Sequence, residues 1–426
     1  MLAGFPEPAR RPMPPIQNQA LTDLPERCEV LVVGAGPAGS AAAQWLARAG
    51  VDVVLVDQHR FPRDKVCGDG LIPDARAALA RLGVLDEVMA QARPAQHVGC
   101  IGPRGGRVDV PGTLAVLPRR ELDQILCRAA LRAGAKMFAP AHFEATLNDA
   151  QGRVSGATLS HGTDRREIRA RWVLLATGAV PQALIAAGVC ERQTPSGIAM
   201  RTYIRNPAMA DRLRALDVVW DRRLRPGYGW IFPCRDGVFN VGVGVANSHR
   251  SGADGRHHKL DVNLRQMFAS FCEFYEPARA LLAGGELQGP LKGAPLRCTL
   301  KGAAFSRPGL LVTGEAAGST YSFTGEGIGK AMETGLLAAE SVLAGRRADD
   351  DAVRNRYETA LRALQPRFAL YERANGINAH PWLADLVIWR AQRSARLRGR
   401  MSGVLNETSN PGTLLSLKGI KRLFLE

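Results

Sequence analysis

Apolar positions along the chain follow two rhythms. At Val30-Leu31-Val32-Val33 the run is unbroken, as in a strand covered on both faces, and it gives way to Gly34-Ala35-Gly36-Pro37-Ala38-Gly39. Ser40 to Ala49, with Trp45 and Leu46, has alanine-rich helical spacing and stops at Gly50. A second apolar run, Val51 to Val56, ends at Asp57. Strand, glycine turn, helix, strand and acid in that order predict a βαβ unit. Pro73 to Leu82 predicts a helix closed by Gly83. Leu122, Ile125, Leu126 and Ala129 predict another, opening at Leu117-Pro118-Arg119 and ending near Gly134. Residues 97–117, 153–160 and 166–170 read as short strands, and Trp172 to Gly178 as a buried parallel strand. Between 195 and 300 the rhythm shifts toward period two, clearest from Val238 to Val245. It predicts an antiparallel sheet interrupted by a helical stretch at 260–285. Pro308 to Gly318 returns to the first style, a helix from Lys330 to Leu343 follows, and the tail from 350 is helical.

These elements predict an α/β protein with a Rossmann-type domain assembled from residues 27–95, 116–190 and 306–348. An antiparallel domain takes 96–115 and 191–305, and a helical region takes 349–426. Residues 1–26 hold Pro6, Pro8, Pro12, Pro14 and Pro15 without a continuous apolar stretch, so a disordered leader is expected and not a secretory signal. The eight cysteines are scattered, and no CxxC pair suggests zinc or a redox dithiol; no metal is expected, and a reducing cytoplasm is the simplest compartment. Formal net charge is +16, which favours anionic partners. Arginine is spread along the chain without interleaved aromatics, so nucleic acid is not expected. Arg390, Arg393, Arg396, Arg398 and Arg400 follow Trp382 and Trp389 in the tail. That stretch suits either a peripheral contact with the inner face of a membrane or a packed helical cap.

The chemistry concentrates at the glycine turn. Gly34 permits the tight turn, Gly36 lets backbone approach a pyrophosphate, and Gly39 lets the helix lie close to the strand. The helix start at Pro37-Ala38 offers free N–H groups and a partial positive charge, and Asp57 can accept from a ribose. The loop that follows, Gln58 to Gly70, has a basic half in which Arg63 and Lys65 either face phosphates or sit in solvent. A second glycine-rich helix start, Gly325-Glu326-Gly327-Ile328, is expected to point at the same ligand.

These residues resemble the geranylgeranyl reductase family of FAD-dependent oxidoreductases, within the hydroxylase-fold flavoproteins that also include flavin-dependent halogenases. The resemblance spans roughly 28–345. Gly34 to Gly39 matches the family's ADP-binding motif, Lys65-Val66-Cys67-Gly68 its Lys-x-Cys-Gly loop, and Arg119 with Asp123 its Arg-x-x-x-Asp helix start. Tyr228-Gly229-Trp230-Ile231-Phe232-Pro233 matches its Tyr-x-Trp-x-Phe-Pro motif, and Thr324 to Ile328 the segment beside the isoalloxazine. Gly178 follows Thr177 where many relatives carry Gly-Ala-Asp-Gly, and Gly314-Glu315 stands where relatives have Gly-Asp.

The resemblance implies bound FAD, held by the residues named above with Gln58, Gly68, Gly178 and Gly314. It also implies NAD(P)H as a transient reductant, or a reductase partner, and reduction of C=C bonds in a hydrophobic isoprenoid-like substrate. Tyr228, Trp230 and Phe232 share one strand face, which reads as a cavity wall or as a core stripe. Cys67 reads as a proton donor or as an ordinary buried thiol. A flavin-dependent monooxygenase, a hydroxylase before a halogenase, is the alternative: Tyr228 and Phe232 replace the Trp and Ile of the halogenase motif, and Lys65 lies in the cofactor loop. A third reading is a flavoprotein that only passes electrons, without a deep apolar cavity beside the ring.

Overall fold

The computed structural model describes residues 16–246, 248–251, 257–259, 261–346 and 349–409. Its first sheet grows out of the βαβ unit. Strand Arg27–Val33 lies between Val53–Val56 and Asp164–Leu175 and is parallel to both. Leu310–Val312 and Lys136–Phe138 extend the parallel set on either side. Val30 and Val32 face a core with Ala42, Leu46 and Leu174, while Leu31 and Val33 face another with Val173 and Leu175. Two covered faces explain the unbroken apolar run. Helix Pro37–Arg48 begins three residues earlier than its alanine pattern suggests, with Pro37 in its first turn, where a missing N–H costs nothing.

The segments expected as separate strands at 166–170 and 172–178 form one strand, Asp164–Leu175. Its first half pairs antiparallel with Val154–His161, its exposed and buried residues come to alternate from Glu167 to Arg171, and only Trp172 to Leu175 are buried without a break. The change of pattern marks the passage from sheet margin to sheet interior, not a break.

The second sheet runs in the order Glu286–Leu287, Gly197–Arg205, Val238–Ala246, Gly227–Pro233, Leu216–Val219, Arg93–Ile101, Arg107–Val116, Gly70–Leu71. It is antiparallel except at one seam, where Leu216–Val219 runs parallel to Arg93–Ile101. The helical stretch is two helices, Leu264–Phe274 and Glu276–Gly284, and Pro277 in the first turn of the second cannot continue the first. Phe271 fills the outer face of this sheet: a Cβ on Gly229 would lie 2.7 Å from its ring. The opposite face of strand Gly227–Pro233 is left for larger side chains.

Residues 1–15 of the expected leader lie outside the described residues. Residues 16–26 are not disordered. Ile16 and Leu21 are buried, and Gln19 bridges to Phe138 at the edge of the first sheet. Two apolar anchors in a polar stretch suffice to fix it there. The C-terminal helices are Asp350–Ala374, Gly376–Ala379, Trp382–Ala391 and Ala395–Leu405. Among the described residues no helix is long and apolar enough to cross a membrane.

Candidate active site

Glycine spacing sets the floor of the site. Gly34 has φ +103°, and a Cβ there would lie 2.4 Å from the Ala176 carbonyl oxygen. A Cβ on Gly39 would sit 1.8 Å from the Gly34 carbonyl oxygen, so the helix touches the turn backbone to backbone. Gly36 differs: a Cβ there would meet only the guanidinium tips of Arg63 and Arg119, each 3.7 Å away. Its open side faces a cavity of about 820 Å³, lined by both sheets, by the starts of helices Pro37–Arg48 and Ile328–Ala344, and by the C-terminal helices.

Gly34, Gly36, Pro37, Ala38, Asp57, Gln58, Arg63, Lys65, Cys67, Gly68, Arg119, Gly178, Glu315, Gly325, Glu326, Gly327 and Ile328 all line this cavity. Gly39 and Gly314 do not. Gly39 packs behind the turn, and Gly314, at φ +66°, backs onto Ala38, whose Cβ would be 2.6 Å from one on Gly314. The two helix starts, nearly three hundred residues apart in sequence, therefore open on one space.

Around Gly36 the charges are already balanced. Asp57 Oδ2 accepts from the Ala35 N–H (2.9 Å) and from Arg63 Nη2 (3.1 Å), while Arg63 Nη1 reaches Asp123 at 2.9 Å. Arg119 clamps the same Asp123 through two bonds of 2.7 and 2.9 Å. Two guanidinium groups meet two carboxylates, so an incoming diphosphate is met by helix-start N–H groups and guanidinium edges, not by bare positive charge. Lys65 does not join Arg63. It crosses to Glu315 at 3.2 Å, and Thr320 donates to the other oxygen of that carboxylate at 3.3 Å.

Thr177 and Ser322 both line the cavity, and their buried hydroxyls have no hydrogen-bond partner among the described residues. Together with the open side of Gly36 and the two helix starts, these unmet groups fit a long polar ligand such as FAD, which brings donors and acceptors of its own.

Beyond the polar end the wall is aromatic. Tyr228, Trp230 and Phe232 all line the cavity, with successive ring centroids 6.2 and 6.4 Å apart. Trp220 and Phe323 add to it, stacked at 6.4 Å. A Cβ on Gly242 would strike the Trp230 ring at 2.3 Å, so that strand is bare of side chain where the indole lies. Tyr228 Oη donates to the Thr324 carbonyl at 2.7 Å, tying the wall to the second glycine turn.

Sequence reasoning missed the group that holds this wall to the floor. Asp69 is fully buried and sits at φ +66°. It accepts from Tyr203 Oη at 2.6 Å, Asn240 Nδ2 at 2.7 Å and the Arg119 N–H at 3.2 Å. Asn240 in turn accepts from Trp230 Nε1 at 2.9 Å and donates to the Cys67 carbonyl at 2.8 Å. Burial pushes Asp69 up to about 6, although Tyr203, Arg201, Asn240 and Arg119 all favour its charged form. Asp69→Ala would strand three donors and leave a Cβ residue in left-handed backbone. It is expected to cost roughly 3–5 kcal/mol, read as a lowered urea midpoint at neutral pH.

Two of the groups that line the cavity, Cys67 and Glu326, are candidate proton donors. Burial raises the Cys67 thiol above its ordinary value, and neighbouring Asp69 adds to the effect. Glu326 is half-buried and lines the cavity; burial pushes it up to about 8, and the charge of Asp74 helps. Asp74 itself, pushed up to about 7 by burial, lies 3.8 Å from Lys330 Nζ. Lys330 also meets Glu333 at 2.7 Å and Glu407 at 2.8 Å.

Residues 27–212 match a family described as an FAD binding domain. The menaquinone reductase of Mycolicibacterium smegmatis is 34% identical over 335 residues, which cover 75% of this chain and 77% of that protein. Digeranylgeranylglycerophospholipid reductase 1 of Methanopyrus kandleri is 30% identical over 76% of this chain and 82% of its own. Among solved structures, a geranylgeranyl bacteriochlorophyll reductase-like protein from Thermoplasma acidophilum superposes with a TM-score of 0.72, covering 94% of this chain and 96% of its own at 21% identity.

Proposed function

The chain belongs to the geranylgeranyl reductase family of FAD-dependent oxidoreductases, and from that membership we propose that it saturates carbon–carbon double bonds of a hydrophobic, isoprenoid-like substrate. The observation that carries this reading is the aromatic, largely apolar end of the cavity, continuous with the polar end built around Gly36. The relatives' names, menaquinone reductase and digeranylgeranylglycerophospholipid reductase, point the same way. Reduced FAD supplies the hydride.

The chain's own residues divide the remaining work. The helix starts at Pro37 and Ile328, with Arg63, Arg119 and Glu315, hold the cofactor. Tyr228, Trp230, Phe232 and Trp220 exclude water and hold an apolar chain in place. One acid delivers a proton to the alkene carbon that does not take hydride. Glu326 suits that task better than Cys67: an acid near 8 is protonated at neutral pH and gives its proton up readily, whereas a raised thiol holds it. The reductant is NAD(P)H bound transiently, or a reductase partner, because the sequence carries a single dinucleotide fingerprint.

Mass spectrometry of products from FAD-loaded protein and a polyprenyl substrate, supplied with NADPH under strict anaerobiosis, tests the reading. A gain of two hydrogens per reduced bond without oxygen is expected. Product that forms only in air and carries an added oxygen atom overturns alkene reduction in favour of monooxygenation.

A further inference from the structure

Helix Trp382–Ala391 has two faces with different tasks. Ala384, Val387 and Ile388 point inward, where they are buried and line the cavity. Trp382 and Trp389 are seven residues apart, about two turns, and so project from one side. They are 58% and 46% exposed, the largest exposed apolar side chains among the described residues. The expected packed cap is therefore present on the inner face, while the outer face keeps two indoles in water.

Positive charge lies beside the second of those indoles. The Arg393 guanidinium lies 5.0 Å over the Trp389 ring, and its Nη1 donates to the Trp389 carbonyl at 3.0 Å. Arg390, Arg396 and Arg400 add charge on the same helix and the next. Indole beside guanidinium suits the zone of lipid headgroups, where an amphipathic ring settles and a cation meets phosphate. A second copy suits it poorly, because a two-fold contact through this face would set these arginines against their own counterparts.

We infer that the outer face of helix Trp382–Ala391 docks on an anionic membrane surface, with Trp382 and Trp389 at headgroup level and the cavity on the far side of the same helix. A helix with its side chains is about 10 Å thick. A bilayer-dissolved substrate of the proposed kind then lies one helix away from the aromatic wall.

Vesicle flotation of the full-length, FAD-loaded protein tests this without any substrate, so its failure would leave the reductase reading untouched. The protein is expected to float with vesicles of phosphatidylcholine and phosphatidylglycerol, to float less with phosphatidylcholine alone, and to be released by salt. Its tryptophan emission should shift to the blue on binding. A variant carrying Trp382→Ser and Trp389→Ser should keep the flavin spectrum and far-ultraviolet dichroism of the parent and lose at least about tenfold in vesicle affinity. Arg393→Glu, an exposed single change, should weaken binding by at least about fivefold. Parent protein that stays unbound with anionic vesicles overturns the inference. So does a double variant that binds as well as the parent, or a parent dimer that the double variant turns into a monomer.

Discussion

Gly39→Ala is expected to yield a colourless protein. The new methyl group would meet the Gly34 carbonyl oxygen at 1.8 Å, and that oxygen belongs to a turn that cannot retreat, since Gly34 lies 2.4 Å on the same measure from the Ala176 carbonyl. Helix Pro37–Arg48 must then swing away from the strand and carry its free N–H groups off the pyrophosphate position. Overpacking of this kind costs typically 1–3 kcal/mol, and more when only backbone is in the way. Cofactor affinity should fall at least about 100-fold, because roughly 2.7 kcal/mol of lost interaction gives that factor. Flavin absorbance after desalting and the thermal midpoint with added FAD measure both effects. Gly36→Ala separates the turn's packing from its open side: its methyl meets only two guanidinium tips at 3.7 Å, so it should fold normally and lose flavin only by crowding. A yellow Gly39→Ala protein with parental stability would contradict this account of the turn.

Glu326→Gln should retain FAD and lose about 100-fold or more in turnover, the usual scale for removing a placed proton donor. Cys67→Ala should lose far less. The parent's rate should fall as pH rises through about 8, because Glu326 is raised to that value by burial and by Asp74, and its protonated form is the active one. The variant should lack that alkaline limb. Stability gives a second readout. A carboxyl that is harder to ionise folded than unfolded contributes stability below the ordinary Glu range and loses it as pH rises through about 8. The decline of thermal midpoint from mildly acidic to alkaline buffer should therefore be shallower in Glu326→Gln. Equal turnover in variant and parent, or a Cys67→Ala protein as impaired as Glu326→Gln, would remove Glu326 from this role.

Sequence alone exposes what repeats locally. The glycines at 34, 36 and 39 are spaced by the needs of one turn, Arg119 and Asp123 stand one helical turn apart, and Tyr228, Trp230 and Phe232 alternate along one strand. Each of these declares its geometry within a few residues. Asp69 does not. Its partners Tyr203 and Asn240 are 134 and 171 residues away, and no period links them. The clue that was available is weak: an acid between two glycines at the end of a charged loop. Lys65 misleads for a related reason, since its neighbour in sequence, Arg63, turns to Asp57 and Asp123 while Lys65 spans 250 positions to Glu315. The period-two pattern marks the second sheet but is blind to its parallel seam, because alternation is the same in either direction. The outer face of helix Trp382–Ala391 was visible as tryptophans and arginines, and only the inner face needed the fold to explain it.

The two sides of the cavity are fastened differently. The aromatic strand is bolted through Trp230, Asn240 and Asp69 to the loop that carries Cys67 and to the Arg119 helix, so reshaping it would disturb the seat of the cofactor. The facing side, from Ala384, Val387 and Ile388 to Met401 and Leu405, is apolar side chain against apolar side chain. Exchanges of similar volume there cost little. Reshaping the last helices is thus expected to alter the apolar end of the cavity while the Asp69 and Arg119 network stays in place.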